Sequence, residues 1–332
     1  MSAFRSHEVR LAARPPGAPG PEHFAVAEVA VPRPGPGEVL VRNRWMPVSA
    51  VMLSLVTGAG PMPPYEVGRV LHGPAIGEVL ASGDPDLSPG DHVSHGLGWR
   101  EHAVGEAGLF RRIGPVTTSS DAAVHLGQGL TAYVGLRDVA AVRPGDTVFV
   151  TGAAGAAGSA AGLIARLLGA GRVVGGAGSA ARARELTAAL GFDAAFDRHD
   201  GPVAALLRQA APGGVDVVFD TVGGEHLRAA VGAARPGARV ALCGALAHQL
   251  GGARAETGLD LMTLIGRRVT LRGFTASDHP ESRAAWIRDA ERWRREGRLA
   301  LPHTVVDGLA GAPGALLGLP AAEAVGVTLI RL

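Results

Sequence analysis

Lysine is missing from this 332-residue chain: all 32 residues counted as Lys or Arg are arginine. No Schiff-base lysine is available, and any phosphate contact has to come from Arg, His or backbone N–H groups. Cysteine is scarce as well. The single Cys243 excludes an intrachain disulfide and any zinc site built from several thiolates. Aromatic residues make up only 4% of the chain, so its core has to be built largely from Ala, Val and Leu. There is no run of one charge sign, and the formal net charge is +2. Neither nucleic acid nor a membrane surface is indicated as a partner. No uninterrupted apolar run of membrane-spanning length and no leader-like N-terminus is present. The expectation is a soluble, cytoplasmic protein.

What is abundant is equally informative. Apolar residues form 47% of the chain and glycine contributes 49 positions. The length predicts about two domains. To about residue 120 the chain reads as short strands broken by Pro and Gly, at 24–31, 38–45, 67–71 and 76–81, which suggests a small irregular barrel. From Asp121 apolar strands alternate with helical stretches, at 147–150, 172–175, 194–196, 216–220, 239–243 and 269–274. That alternation predicts a doubly wound parallel sheet. A charged amphipathic helix is predicted over 281–295, and a last strand over 325–332 that returns to the barrel.

The densest signal is TVFVTGAAGAAGSAAGLIARLLGAGRVVGGAGSAAR, residues 147–182. An apolar strand enters a glycine turn, the turn opens a helix, and a second strand follows. This is the layout of a dinucleotide-binding βαβ unit. The spacing Ala153-x-Gly155-x-x-Gly158 keeps side chains off the turn, so a pyrophosphate can approach the backbone and the helix N-terminus. An ordinary glycine-rich turn is the alternative.

Together with PYEVGRV (64–70), IGEV (76–79), GDHV and GLGWREH (90–102), GLTAYVGL (129–136), GFDAAFD (191–197), VFDTVGGE (218–225), RVALCGA (239–245) and the closing VGVTLIRL, this stretch resembles the zinc-independent medium-chain dehydrogenase/reductase superfamily. It is most similar to the prostaglandin reductase and alkenal double-bond reductase, or enoyl reductase-like, group. The resemblance covers nearly the whole chain. It implies an α/β fold with a GroES-like irregular β-barrel substrate domain (1–120 plus 300–332) and a doubly wound parallel-sheet Rossmann domain (121–299). It also implies a homodimer, with sheet edges near 269–274 pairing across a twofold axis. No metal site is expected: the 12 histidines show no ligand spacing, and His92, His95 and His102 lack partners that would complete one.

A cofactor preference can be read from the second strand. NAD-specific sheets usually end it with Asp or Glu. Here 173–182 reads VVGGAGSAAR, with no acid before Glu185. Ser179 and Arg182 offer a hydroxyl and a permanent cation for a 2′-phosphate, and Arg198 offers a second cation. NADPH is therefore expected. The resemblance adds Thr131, Gly155, Ala156, Ala157, Gly158, Thr221, Cys243, Gly244, Ala245, Phe274, Thr275, Ala276 and Ala324 to the cofactor-binding set.

At the reacting end the chain departs from its relatives. The resembled enzymes deliver hydride to the β-carbon of an α,β-unsaturated carbonyl compound. Charge builds on the carbonyl oxygen, which needs a hydrogen-bond donor, and the α-carbon needs a proton. The usual Tyr, six residues after the Cys of CGA, is Gln249, beside His248. The Asn of FDNVGG is Thr221, the Asn before the final strand is Ala324, a later Lys is Val327, and an Asp-Pro is Ser49-Ala50. His248, Gln249, Tyr65 and His95 are the candidate catalytic replacements. Each also has a plain structural alternative. The reading is an NADPH-dependent reductase of activated C=C bonds acting on a small molecule. A biosynthetic tailoring reductase, a quinone or carbonyl reductase, and a cofactor-binding protein without chemistry remain as alternatives.

Overall fold

The computed structural model describes residues 4–59, 62–246 and 258–332. The chain divides into two compact units. The first runs to Leu126 and takes up Thr304–Ala322 and Thr328–Leu332; the second is Gly127–His303 with Glu323–Val327.

In the first unit β1 (Phe4–Leu11) pairs antiparallel with β2 (Phe24–Val31). The 11-residue β3 (Glu38–Val48) is followed by α1 (Ala50–Thr57), β4 (Ala75–Ser82), β5 (His92–His95), β6 (His102–Glu106), β7 (Arg111–Arg112) and α2 (Ser119–Leu126). The strand expected over 67–71 does not form. This stretch makes only single bridges, Arg10 to Val70 and Leu11 to Val67. Gly68 at φ +79 turns the backbone out of extended geometry there. The β1 strand and α1 were not legible as elements, since neither shows clean period-2 or period-3.6 patterning.

In the second unit α3 (Gly129–Tyr133) runs into a π-helical turn, Val134–Val139. There follow β8 (Thr147–Val150), α4 (Ala156–Leu167), β9 (Arg172–Ala177), α5 (Ala180–Ala189), β10 (Ala194–Asp197), α6 (Val203–Ala210), β11 (Val215–Asp220), α7 (Gly224–Ala233), β12 (Ala234–Leu242), α8 (Leu261–Arg267), β13 (Thr270–Gly273) and α9 (Pro280–Arg295). Six strands form one sheet in the order β10-β9-β8-β11-β12-β13, every pair parallel. This is the doubly wound arrangement expected from the sequence, with the order reversing beside β8.

The chain then adds β14 (His303–Asp307), α10 (Ala312–Gly318) and β15 (Val327–Arg331). These complete the first unit's sheet, β14-β15-β3-β4-β5-β7, with β6 also on β3. The final strand returns to the barrel sheet as expected, pairing antiparallel with β3 from Thr328–Val48 to Arg331–Trp45.

Each unit has its own core. Val9, Leu11, Met46, Met52, Tyr65, Leu71, Trp99 and Leu316 form one; Phe149, Val174, Leu207, Val218, Leu227 and Val240 form the other. Each fully buried Val or Leu contributes about 1.5–3 kcal/mol. The small residues of α4 allow close approach: a Cβ on Gly162 would lie 2.0 Å from Phe192 Cζ. The aromatic shortage is thus met by a few rings seated over glycines.

Candidate active site

The cofactor-type site is assembled at the carboxyl ends of β8, β9, β10, β11 and β12. After β8 the chain turns at Gly152, φ +56, where a Cβ would lie 2.6 Å from Thr221 Oγ1. Gly155 adopts an extended conformation (φ −73, ψ 172) and begins α4 without a side-chain cap. The first-turn N–H groups of Ala156 and Ala157 are thereby offered to an anion rather than to a side chain. Gly158 packs so closely that a Cβ would sit 2.3 Å from Gly152 O. Gly152 and Gly158 leave no room for a Cβ and the turn's other side chains are no larger than methyl, so its backbone is a cradle open to close approach, which fits a dinucleotide diphosphate.

Two buried polar residues hold this cradle. Thr151 Oγ1 donates to Asp220 Oδ1 at 2.6 Å and accepts the Thr221 N–H at 2.8 Å. Asp220 also accepts the N–H groups of Val222 and Gly223. Thr221 Oγ1 donates to Thr151 O at 3.0 Å. The β11 loop and the glycine turn are therefore locked together. Thr151 and Asp220 were not singled out from sequence, although VFDTVGG carries the signal: an Asp closing an apolar strand before two glycines.

At the end of β9, Ser179 caps α5 by accepting the Arg182 N–H at 3.3 Å. Its own O–H stays available as a donor. Arg182 Nε donates to Glu323 O at 3.4 Å. Arg198 is exposed, and its N–H donates to Ala177 O at 3.0 Å, which places it across from the start of the Ser179 turn. All three residues flank one strand end. No acidic residue ends β9, whose last residue is Ala177.

The other sequence-named residues distribute along the same sheet edge. Cys243 and Gly244 donate backbone N–H groups to Asp220 O, and a Cβ on Gly244 would meet Thr221 O at 3.1 Å. Ala245 follows, half-buried. Burial, with the Asp220 carboxylate second, pushes the Cys243 thiol up to about 12. It is therefore no nucleophile near neutral pH. Phe274 N–H donates to Leu242 O, and its ring sits over Gly135, where a Cβ would lie 2.7 Å from Cζ. Thr275 is exposed and hydrogen-bonded to Ser277 at 2.7 Å, with Ala276 next in the chain. Thr131 Oγ1 donates to Gln128 Oε1 at 3.0 Å, on the helix that precedes the π turn. Ala324 is exposed in the return segment.

The candidate acid–base residues fare differently. His248 and Gln249 lie outside the described residues. Tyr65 belongs to the first unit's core: its O–H donates to His72 O at 2.7 Å, its ring stands edge-on to His72 at 4.9 Å, and burial pushes its pKa up. That phenol is committed to a carbonyl. His95, also in the first unit, is 8% exposed and packs edge-on against Phe110. Its Nδ1 accepts the Leu97 N–H at 3.1 Å, so the ring proton sits on Nε2, which has no partner among the described residues. Burial, with Arg100 second, lowers its pKa to about 4. His95 is a neutral imidazole at physiological pH. Among the described residues, no group of three or more His, Cys, Asp or Glu side chains is placed to hold a metal ion.

Residues 7–113 match a family model described as the N-terminal domain of oxidoreductase, and residues 156–291 match one described as zinc-binding dehydrogenase. The chain is 32% identical over 329 residues to an NADPH-dependent curcumin reductase of Escherichia coli, covering 97% of this chain and 95% of that protein. It is 31% identical to a 2-alkenal reductase (NADP(+)-dependent) of Nicotiana tabacum, covering 86% and 84%. The crystal structure of CurA from Vibrio vulnificus in complex with NADPH superposes with a TM-score of 0.89 at 29% identity, covering 98% of both chains. The parallel sheet, its glycine turn and these likenesses agree, and the chain belongs to the zinc-independent medium-chain dehydrogenase/reductase family, in the group of curcumin, prostaglandin and alkenal reductases.

Proposed function

We propose that this protein is an NADPH-dependent reductase of the activated C=C bond in α,β-unsaturated carbonyl compounds. The observation that carries the reading is the backbone cradle made by Gly152 and Gly158 together with Ser179 and Arg182 at the end of β9, where an acidic residue would mark NAD. The names of the similar proteins, a curcumin reductase and a 2-alkenal reductase, support the same substrate class.

NADPH, when bound, supplies the hydride that reaches the β-carbon of the acceptor. The chain's own work is to bind, orient and protonate. The N–H groups of Ala156 and Ala157 and the free edge of the glycine turn hold the diphosphate. Ser179, Arg182 and Arg198 hold the adenosine phosphate. Thr131, Thr221, Cys243, Gly244, Ala245, Phe274, Thr275, Ala276 and Ala324 would contact the remainder of the cofactor. For the developing oxyanion we assign the donor to His248 or Gln249, because the Tyr65 hydroxyl is already spent on His72 O. His95 Nε2–H is the second candidate, as a neutral donor. In this reading the second unit carries the cofactor and the first unit the substrate.

The test is loss of nicotinamide absorbance with a panel of enones and enals. Turnover of quinones with none of enones would reassign the enzyme as a quinone reductase. Cofactor binding without turnover of any acceptor would remove catalysis altogether.

We propose further that the protein is a cytoplasmic homodimer. No described helix is long and apolar enough to cross a membrane. Among the described residues β13 is the last strand of the parallel sheet, with no partner on its outer edge, and α8 before it exposes Leu261, Met262 and Ile265 at 67%, 72% and 67%. Leu261→Asp with Met262→Asp is expected to halve the mass measured by sedimentation; an unchanged mass would place any interface elsewhere.

A further inference from the structure

The return segment Glu323–Val327 closes on the glycine turn from a distant part of the sequence. The Gly326 N–H donates to Ala154 O at 2.9 Å, and Gly155 and Gly326 form a parallel bridge. On the segment's other side the Val327 N–H donates to Pro302 O at 3.1 Å. Gly326 sits at φ +100, and a Cβ there would lie 1.9 Å from Pro302 O and 2.4 Å from Pro302 C. The obstacle is backbone, so a larger residue displaces the whole segment. Val325 and Val327, 4% and 3% exposed, anchor it on either side.

The same segment reaches the adenosine end. Glu323 O accepts the Arg182 Nε–H at 3.4 Å, while the two Nη atoms of Arg182 have no partner among the described residues. With Nε held, the plane of the guanidinium is set and the Nη fork is left to a ligand. Ser179 stands at the start of the same helix with its O–H free to donate.

We propose that Glu323–Val327 is a specificity strap: the Glu323 carbonyl aims Arg182 at the 2′-phosphate of the cofactor, and Gly326 is the pin that places that carbonyl. The strap is a positioning element and touches no reacting atom. Because one five-residue segment holds both the diphosphate turn and the phosphate-binding cation, it couples the two ends of the adenosine site. The proposal rests on the NADPH reading above.

The test measures dissociation constants for NADPH and NADH by titration calorimetry on the full chain. Arg182→Ala probes the underlying reading: the NADPH preference should fall about tenfold or more. A preference left intact removes the strap's target and overturns both readings. Gly326→Ala should weaken both cofactors, and in addition lower the preference by about tenfold. Equal weakening of both cofactors would leave the strap a mere support for the turn and overturn the proposal alone. In the Arg182→Ala background, Gly326→Ala should lower the preference no further; an additional drop means it acts through another group.

Hydrogen exchange on the wild-type protein tests the same coupling without any substitution. Reciprocity requires that a phosphate gripped by a strap-held arginine steadies the strap. The Gly326 and Val327 amides should exchange more slowly with saturating NADPH than with saturating NADH. Equal protection overturns the proposal even if Gly326→Ala fails to fold.

Discussion

Thr151 Oγ1 lies 2.6 Å from Asp220 Oδ1, and neither residue has any solvent exposure. This bond joins the first residue beyond β8 to the last residue of β11, its neighbour in the sheet. Through the Thr221, Val222 and Gly223 N–H groups it shapes both the loop after β8 and the loop after β11. Asp220→Ala strands a hydroxyl and two N–H groups in the interior. The expected loss is about 2–4 kcal/mol in urea unfolding, against about 1–2 kcal/mol for Thr151→Val. Equal and negligible losses would show that the pair does not organise the sheet edge.

Gly158→Ala brings a methyl group within 2.3 Å of Gly152 O, inside the glycine turn. The turn has to open to admit it. NADPH affinity should fall by at least about tenfold while the far-ultraviolet circular dichroism stays unchanged. Gly314, whose Cβ would meet nothing within 4 Å, is the control position.

His95 gives the first unit a pH-dependent stability. Its pKa is lowered from 6.5 to about 4 by burial, so between those values the unfolded chain binds the proton that the folded chain refuses. The stabilisation is complete above the unfolded value, declines as the pH falls from about 6.5, and is fully lost near pH 4. The change is up to about 3 kcal/mol across that window. Burial pushes His102 and His226 in the same direction. Urea midpoints measured from pH 7 to pH 4 should drop steeply in the wild type and less in His95→Gln. Parallel curves for the two proteins would exclude His95 as the titrating group.

Cys243, with its thiol pushed up to about 12, should resist alkylation. Near pH 7 the thiolate is about one molecule in 10⁵. Iodoacetamide labelling followed by mass spectrometry should be far slower than for a model thiol. Rapid labelling at neutral pH would point to a route for solvent and to an activated thiol.

The parts of the fold visible from the sequence were those written in local chemistry. The βαβ turn was legible because Ala153, Gly155 and Gly158, at that spacing, follow an apolar strand and open an alanine-rich helix. The amphipathic helix predicted over 281–295 appears as Pro280–Arg295 because its apolar residues, Trp286, Ala290 and Trp293 among them, share one buried face. The strand expected over 67–71 was misread because Val67, Val70 and Leu71 look extended, whereas Gly68 enters the left-handed region.

The side-chain partners were not visible. Tyr65 reads from sequence as a displaced catalytic phenol, and only the path of the chain through His72 shows where its proton goes. His95 reads as an isolated histidine, and only burial against Phe110 makes it neutral. The amino-acid order alone determined the family, the parallel sheet and the glycine turn, because backbone conformation and strand periodicity follow from short-range sterics and spacing. Tertiary structure decided which groups are occupied and which are available. Thr151 meets Asp220 across 69 residues and Arg182 meets Glu323 across 141, and such contacts depend on how distant segments pack rather than on any local pattern.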